Sequence, residues 1–145
     1  MKLSARVYIP AIVVAVAAGT GGFLLSQASA GTVTHTLSFT AVQQAAANFA
    51  STSGELDNDV DKSGKVIGYD ILSIAFNQKT KKATIDVALV TDGGMLYGVM
   101  PTSAPVSAGR VTGGTGTFQG ATGSITATVP NHSTTHTNIV ITYHT

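Results

Sequence analysis

Four polar side chains interrupt otherwise apolar strand-like runs and could serve a ligand: Tyr69, Asp86, Tyr97 and Arg110. Asp70 belongs with them. A carboxyl enclosed in an apolar interior is harder to ionise and can act as a general acid or base. Tyr69 and Asp70 are adjacent, so in a strand they face opposite ways and at most one reaches an interior. The ordinary reading puts Asp70 and Asp86 on a wet outer face, with Tyr69 in the core and its hydroxyl satisfied. Arg110 is the only arginine once the first 30 residues are removed. Facing inward it would meet an anion or carboxylate; facing outward it is a surface or interface residue.

Other groupings carry less chemistry. Asp57-Asn58-Asp59-Val60-Asp61 has the alternating acids of a calcium loop. An EF-hand needs Gly at the sixth position and Glu at the twelfth, where this chain has Lys62 and Gly68. The default is a solvated loop, with an irregular calcium site as the alternative. His132 and His136 are four apart, about 13 Å in a strand, too far to share one ion. His35 and His144 sit near the ends of the mature chain and are expected to be exposed. No metal and no cofactor is expected. The glycine-rich run from Gly109 to Gly123 is no phosphate cradle, because no Lys-Ser/Thr and no helix follows it.

The elements that position these residues begin after a leader. Lys2 and Arg6 precede a weakly apolar run, Ala11 to Leu25, and Ala28-Ser29-Ala30 follows. Those are the three regions of a secretory signal peptide, with cleavage expected after Ala30. The apolar run is short of the roughly 20 residues of a spanning helix, so no membrane association is expected after cleavage. Residues 31–145 then form one secreted domain. It holds five lysines and Arg110 against seven acids, with no basic face for nucleic acid. There is no Cys, so stability must come from packing and strand pairing.

The mature chain alternates with the period of strands. Leu37, Phe39 and Ala41 oppose Thr36, Ser38 and Thr40. Gln43 to Ala50 reads as a short helix or as a further extended piece. Ser51 to Lys65 reads as a polar loop. Val66 to Phe76 is apolar on both faces, as expected for a barrel wall that also packs against another subunit. Lys82 to Leu89 alternates, Asp92-Gly93-Gly94 is a hairpin turn, and Met95 to Thr102 follows. Val106 to Thr112 and Gly123 to Val129 flank a tight glycine corner holding one aromatic, Phe118. Thr135 to Tyr143 closes the series, with Ile139, Ile141 and Tyr143 in phase. Seven or eight short antiparallel strands at roughly ten-residue spacing give an all-β barrel or a small sandwich.

Three stretches carry a resemblance: Asp61-Lys62-Ser63-Gly64-Lys65-Val66-Ile67-Gly68-Tyr69-Asp70, Leu96-Tyr97-Gly98, and Gly113-Gly114-Thr115-Gly116-Thr117-Phe118-Gln119-Gly120-Ala121-Thr122-Gly123. The last is the specific one. Together they resemble the allene oxide cyclase/dirigent superfamily, most closely its small secreted bacterial members. The resemblance implies an eight-stranded antiparallel β-barrel, a largely apolar lumen open at one end, and frequent trimers. Plant members cyclise an unstable fatty-acid epoxide or steer the coupling of phenoxy radicals. Thr122 stands where plant dirigent proteins commonly carry Arg, and their frequent disulfide is impossible here. The resemblance therefore implies the fold and a ligand-holding lumen, and no particular reaction.

Two functions from different classes follow as expectations. In one, the lumen binds a small hydrophobic or phenolic molecule and guides its cyclisation or coupling, with Tyr69, Asp86, Tyr97 or Arg110 as polar anchors. In the other, the barrel is a non-catalytic extracellular binding or structural module. A homo-oligomer, with a trimer as the first candidate, is expected in both.

Overall fold

A computed structural model describes residues 32–102, 106–130 and 133–145. The leader, including the expected cleavage site, and His132 lie outside the described residues. Eight strands follow one another: β1 (Thr34–Phe49), β2 (Thr52–Val60), β3 (Val66–Asn77), β4 (Lys82–Thr91), β5 (Gly94–Pro101), β6 (Val106–Gly114), β7 (Thr122–Thr128) and β8 (His136–His144). Each pairs antiparallel with the next, and β8 returns to β1, from Thr34 opposite His144 to Val42 opposite His136. The sheet is a closed up-and-down barrel. Closure leaves no unpaired edge, which protects a Thr- and Val-rich chain from edge-to-edge association.

The alternation seen in the sequence sorts the two faces. Phe39, Ala41, Leu89, Ile125, Ile139 and Ile141 point inward and are buried. The register breaks where the sheet must bend. One break lies in β1 between Gln43 and Ala45. Another lies between Tyr97 and Gly98 of β5, where β6 carries one residue more.

Two segments depart from the expectations. Gln43 to Ala50 continues β1 in extended form and is not a helix. The stretch expected as a polar loop, Ser51 to Lys65, is mostly β2, and only the turn after Val60 remains loop. Its period-two pattern is inverted. Leu56 lies outside, 39% exposed, while Asp57 and Asp59 lie inside. Barrel closure imposes that orientation, because β2 pairs on both sides: Ala41 opposes Asp59 on β1, and Asp70 opposes Asp57 on β3.

One end of the barrel is plugged. After β6 the glycine run makes one 3-10 turn, Gly116–Phe118, and drives Phe118 into the core. Phe118 meets Tyr143 edge to face at 5.5 Å, and His35 stacks on the same Tyr143 at 5.0 Å. The corner straps over the β4–β5 turn. Thr117 donates from its backbone N–H at 2.9 Å and its Oγ1 at 3.1 Å to the Gly93 carbonyl. The Met95 N–H donates to Thr115 Oγ1 at 3.1 Å. Gly94 is required there. Its φ is +129°, and a Cβ would fall 2.3 Å from the Thr115 carbonyl oxygen.

Candidate functional site

Away from the plug the lumen stays open. A cavity of about 250 Å³ occupies the half of the barrel reached by the β1–β2, β3–β4 and β7–β8 connections. Its floor is Phe39, Leu89, Met100, Ile125 and Ile141, and its mouth is set by Ile74, Ile85, Thr102, Ser107, Val129 and Thr137. Below the hydroxyls of the mouth the lining is apolar except on one wall. There β2 and β3 present Glu55, Asp57 and Asp70. Among the described lining residues none is Lys, Arg or His.

That acidic wall follows from register. Asp57 and Asp70 are directly opposed across β2 and β3, and Asp59 lies one step deeper, opposite Gly68. Gly68 offers no side chain there; a Cβ would lie 2.5 Å from the Val90 carbonyl oxygen. Asp57, Asp59 and Asp70 are 5%, 0% and 3% exposed. Asp57 Oδ1, both Asp59 oxygens and Asp70 Oδ1 receive no hydrogen bond from any donor of the described protein. Buried acceptors without donors are uncommon and call for a physical explanation.

Protonation relieves part of the strain. Burial, with Glu55 adding repulsion, raises the Asp57 pKa to about 6. Burial raises Asp59 to about 7 with a further contribution from Asp57, against a lowering by its hydrogen bond with Asp70. Asp70 rises furthest, to about 8, first through burial and then through repulsion from Asp59 and Asp57. With every carboxyl ionised Asp59 has no donor among the described residues. A proton on Asp70 supplies one, so near neutral pH the two share a proton, with Asp70 as donor. The site thus holds a proton that can be donated and a carboxylate that can accept one, beside an apolar chamber.

Asp61, two residues further along, behaves in the opposite way. Its carboxylate accepts from the Ser63 N–H at 2.8 Å, the Ser63 hydroxyl at 2.6 Å and the Lys65 N–H at 3.0 Å. Those bonds, the Ser63 hydroxyl first, lower its pKa. Asp57 and Asp59 face the lumen while Asp61 closes a turn, so the run does not form a calcium loop. Among the described residues no three acidic or histidine side chains converge to hold a metal ion.

No family model and no curated protein matches the sequence. Solved structures do match in shape. The pterocarpan synthase dirigent protein GePTS1 is 15% identical with a TM-score of 0.61, covering 91% of this chain and 96% of its own. Pyocyanin demethylase is 16% identical with a TM-score of 0.60, covering 75% of this chain and 99% of its own. The exo-specific intermolecular Diels-Alderase AbnU is 12% identical with a TM-score of 0.55, covering 79% of this chain and 97% of its own. The fold is the dirigent-type barrel. At these identities the likeness concerns the fold alone.

In this dirigent-type barrel the four side chains singled out from the sequence all lie outside the lumen. Tyr69 is 44% exposed and Tyr97 36% exposed; Asp86 and Arg110 are exposed on the same outer face. Asp86 and Tyr97 share a shallow outer groove with Ile71, Ser73 and Thr112, and Tyr69 and Arg110 do not line it. Of the adjacent pair Tyr69 and Asp70, it is Asp70 that turns inward, against the ordinary reading, because it is in phase with Leu72 and Ile74. The signal for the missed wall was present. Glu55, Asp57 and Asp59 alternate at the strand period, with Leu56 and Asn58 between them.

Proposed function

We propose that the lumen holds a small hydrophobic or aromatic molecule and that the carboxyls of β2 and β3 move a proton on it, guiding its cyclisation or coupling. The observation that carries this is the juxtaposition of a 250 Å³ apolar chamber with the unpartnered Asp57 and Asp70 oxygens at its wall. A barrel serving only as a structural module gains nothing from buried acids without donors, which lower its stability. Apolar walls exclude water and orient the ligand, while the few polar groups fix its pose. The dirigent protein and the Diels-Alderase of like shape are consistent with a small-molecule barrel.

The leader and the outer face support two further parts of the proposal. The domain is secreted after cleavage at Ala30. It assembles as a homo-oligomer through the apolar strip of Leu56, Tyr69, Ile71 and Tyr97, each more than a third exposed in the single chain. Native mass spectrometry of the mature protein from culture supernatant tests all three parts. The expected result is a chain beginning at Gly31, a mass above the monomer, and a retained or readily taken up aromatic ligand. A chain that takes up nothing from a panel of neutral, phenolic and amine-bearing aromatic compounds overturns the ligand reading in favour of the structural module.

A further inference from the structure

The acidic wall also constrains the charge of the occupant. Resting on the lumen-binding reading, we infer that the preferred ligand is an apolar body bearing a positively charged or protonatable nitrogen, and that carboxylate ligands bind more weakly than neutral ones.

The argument is one of unmet partners. Of the carboxyls at the cavity, Asp57 Oδ1 and Asp70 Oδ1 find no donor among the described residues, Glu55 stands beside them, and Asp59 lies behind them, outside the lining. Every element packed against the wall has been supplied with neutral side chains. On its own face β1 brings Phe39, Ala41 and Gln43; β4 brings Val87 and Leu89; β8 brings Thr137 and Ile139. The titratable groups facing one another there are therefore Glu55, Asp57, Asp59 and Asp70, all acids. Among the described residues none supplies a cation to complete the wall, so the complement is expected to come with the ligand.

A bare metal ion fits poorly. The carboxyls are staggered along two strands, and no three of them converge at ligating distance among the described residues. Apart from the hydroxyls of Thr102, Ser107 and Thr137 at the mouth, the rest of the chamber is hydrocarbon, which a hydrated ion would leave empty of contacts. An organic cation meets both surfaces at once: its apolar body packs on Phe39, Leu89, Ile125 and Ile141 while its N–H groups or charge face Asp57 and Asp70. A carboxylate in the same position meets like charge at low dielectric, with no cation among the described lining residues to screen it.

Three naphthalene probes of one shape test this by direct fluorescence, which the absence of Trp from the chain makes clean. They are 2-naphthylmethylamine, 2-naphthalenemethanol and 2-naphthoate. The amine is expected to bind roughly tenfold more tightly than the alcohol, and the carboxylate roughly tenfold more weakly than the alcohol. In wild type the amine's affinity should rise between about pH 5 and about pH 8 as the acids ionise, while its own nitrogen stays charged. Calorimetry in buffers of different ionisation heat should show proton release on amine binding, a signature that a merely structural role of the acids would not give. The double variant Asp57→Asn/Asp70→Asn should discriminate far less among the three probes, with Glu55 left as the remaining acid of the lining. The pH and proton-release readouts need no variant and stand if that one fails to fold. Equal binding of the three probes to wild type overturns the charge inference and leaves the lumen reading intact. No binding of any probe overturns the lumen reading itself.

Discussion

The two ends of this barrel are built on opposite terms. At the plugged end Phe118, Tyr143, Leu96 and Ala121 are packed together, and the strap from Thr115 to Thr117 satisfies the Gly93 carbonyl and the Met95 N–H. At the open end carboxyls are buried without donors around empty volume. Packing and satisfied polar groups stabilise a fold; unsatisfied acids beside a cavity do the reverse. A chain that keeps both has placed its packing at one end and its unsatisfied acids beside the open lumen.

That contrast can be broken from either side. The largest effect is expected at the plug. Phe118→Ala should destabilise the barrel by about 3–5 kcal/mol, because it removes a buried ring and leaves a cavity under the strap. Chemical denaturation would show it, and a loss under about 1 kcal/mol would mean that the plug does not anchor the fold.

Asp70→Asn should act in the opposite direction. The folded-state pKa of Asp70 is raised from 3.8 to about 8. The folded state therefore binds this proton more tightly than the unfolded chain. The associated stability is fully present below pH 3.8 and is lost as pH rises through about 8. Wild type should thus melt at progressively lower temperature across that window. Asp70→Asn should flatten the decline and gain on the order of 1–3 kcal/mol at pH 8.5, with little difference near pH 4. A parallel pH profile for the two proteins would place the strain elsewhere.

Smaller effects on stability sharpen the comparison. Ile74 is partly exposed at the mouth, so Ile74→Trp should change stability by no more than about 1 kcal/mol. It should nevertheless weaken probe uptake more than tenfold by filling the chamber, roughly the effect of losing one buried ring contact. Unchanged uptake would mean that ligands enter from another side. Smallest of all is Arg110→Ala on the outer face, expected within about 0.5 kcal/mol and neutral for binding in the lumen. A marked loss of ligand affinity there would return Arg110 to the site.

Much of this architecture could be read from the chain alone. Alternating apolar residues at short, turn-bounded intervals, and one glycine run holding Phe118, determine a series of antiparallel strands with a bulged corner, compatible with a barrel or a small sandwich, since local strand period and turn chemistry require no distant partner. The eight-stranded barrel comes from the family resemblance. Which polar residues face inward was not decided locally. Val66 to Phe76 is apolar on both faces, so hydropathy marks a buried strand but does not say which face turns inward. Glu55, Asp57 and Asp59 look like a solvated loop because acids are rarely turned into a core. Only closure of the sheet fixes both. Pairing β2 between β1 and β3 forces Asp57, Asp59 and Asp70 onto one inner wall and leaves Tyr69, Asp86, Tyr97 and Arg110 outside. A one-residue change of register would exchange the two sets, and the interactions that prevent it span the whole barrel.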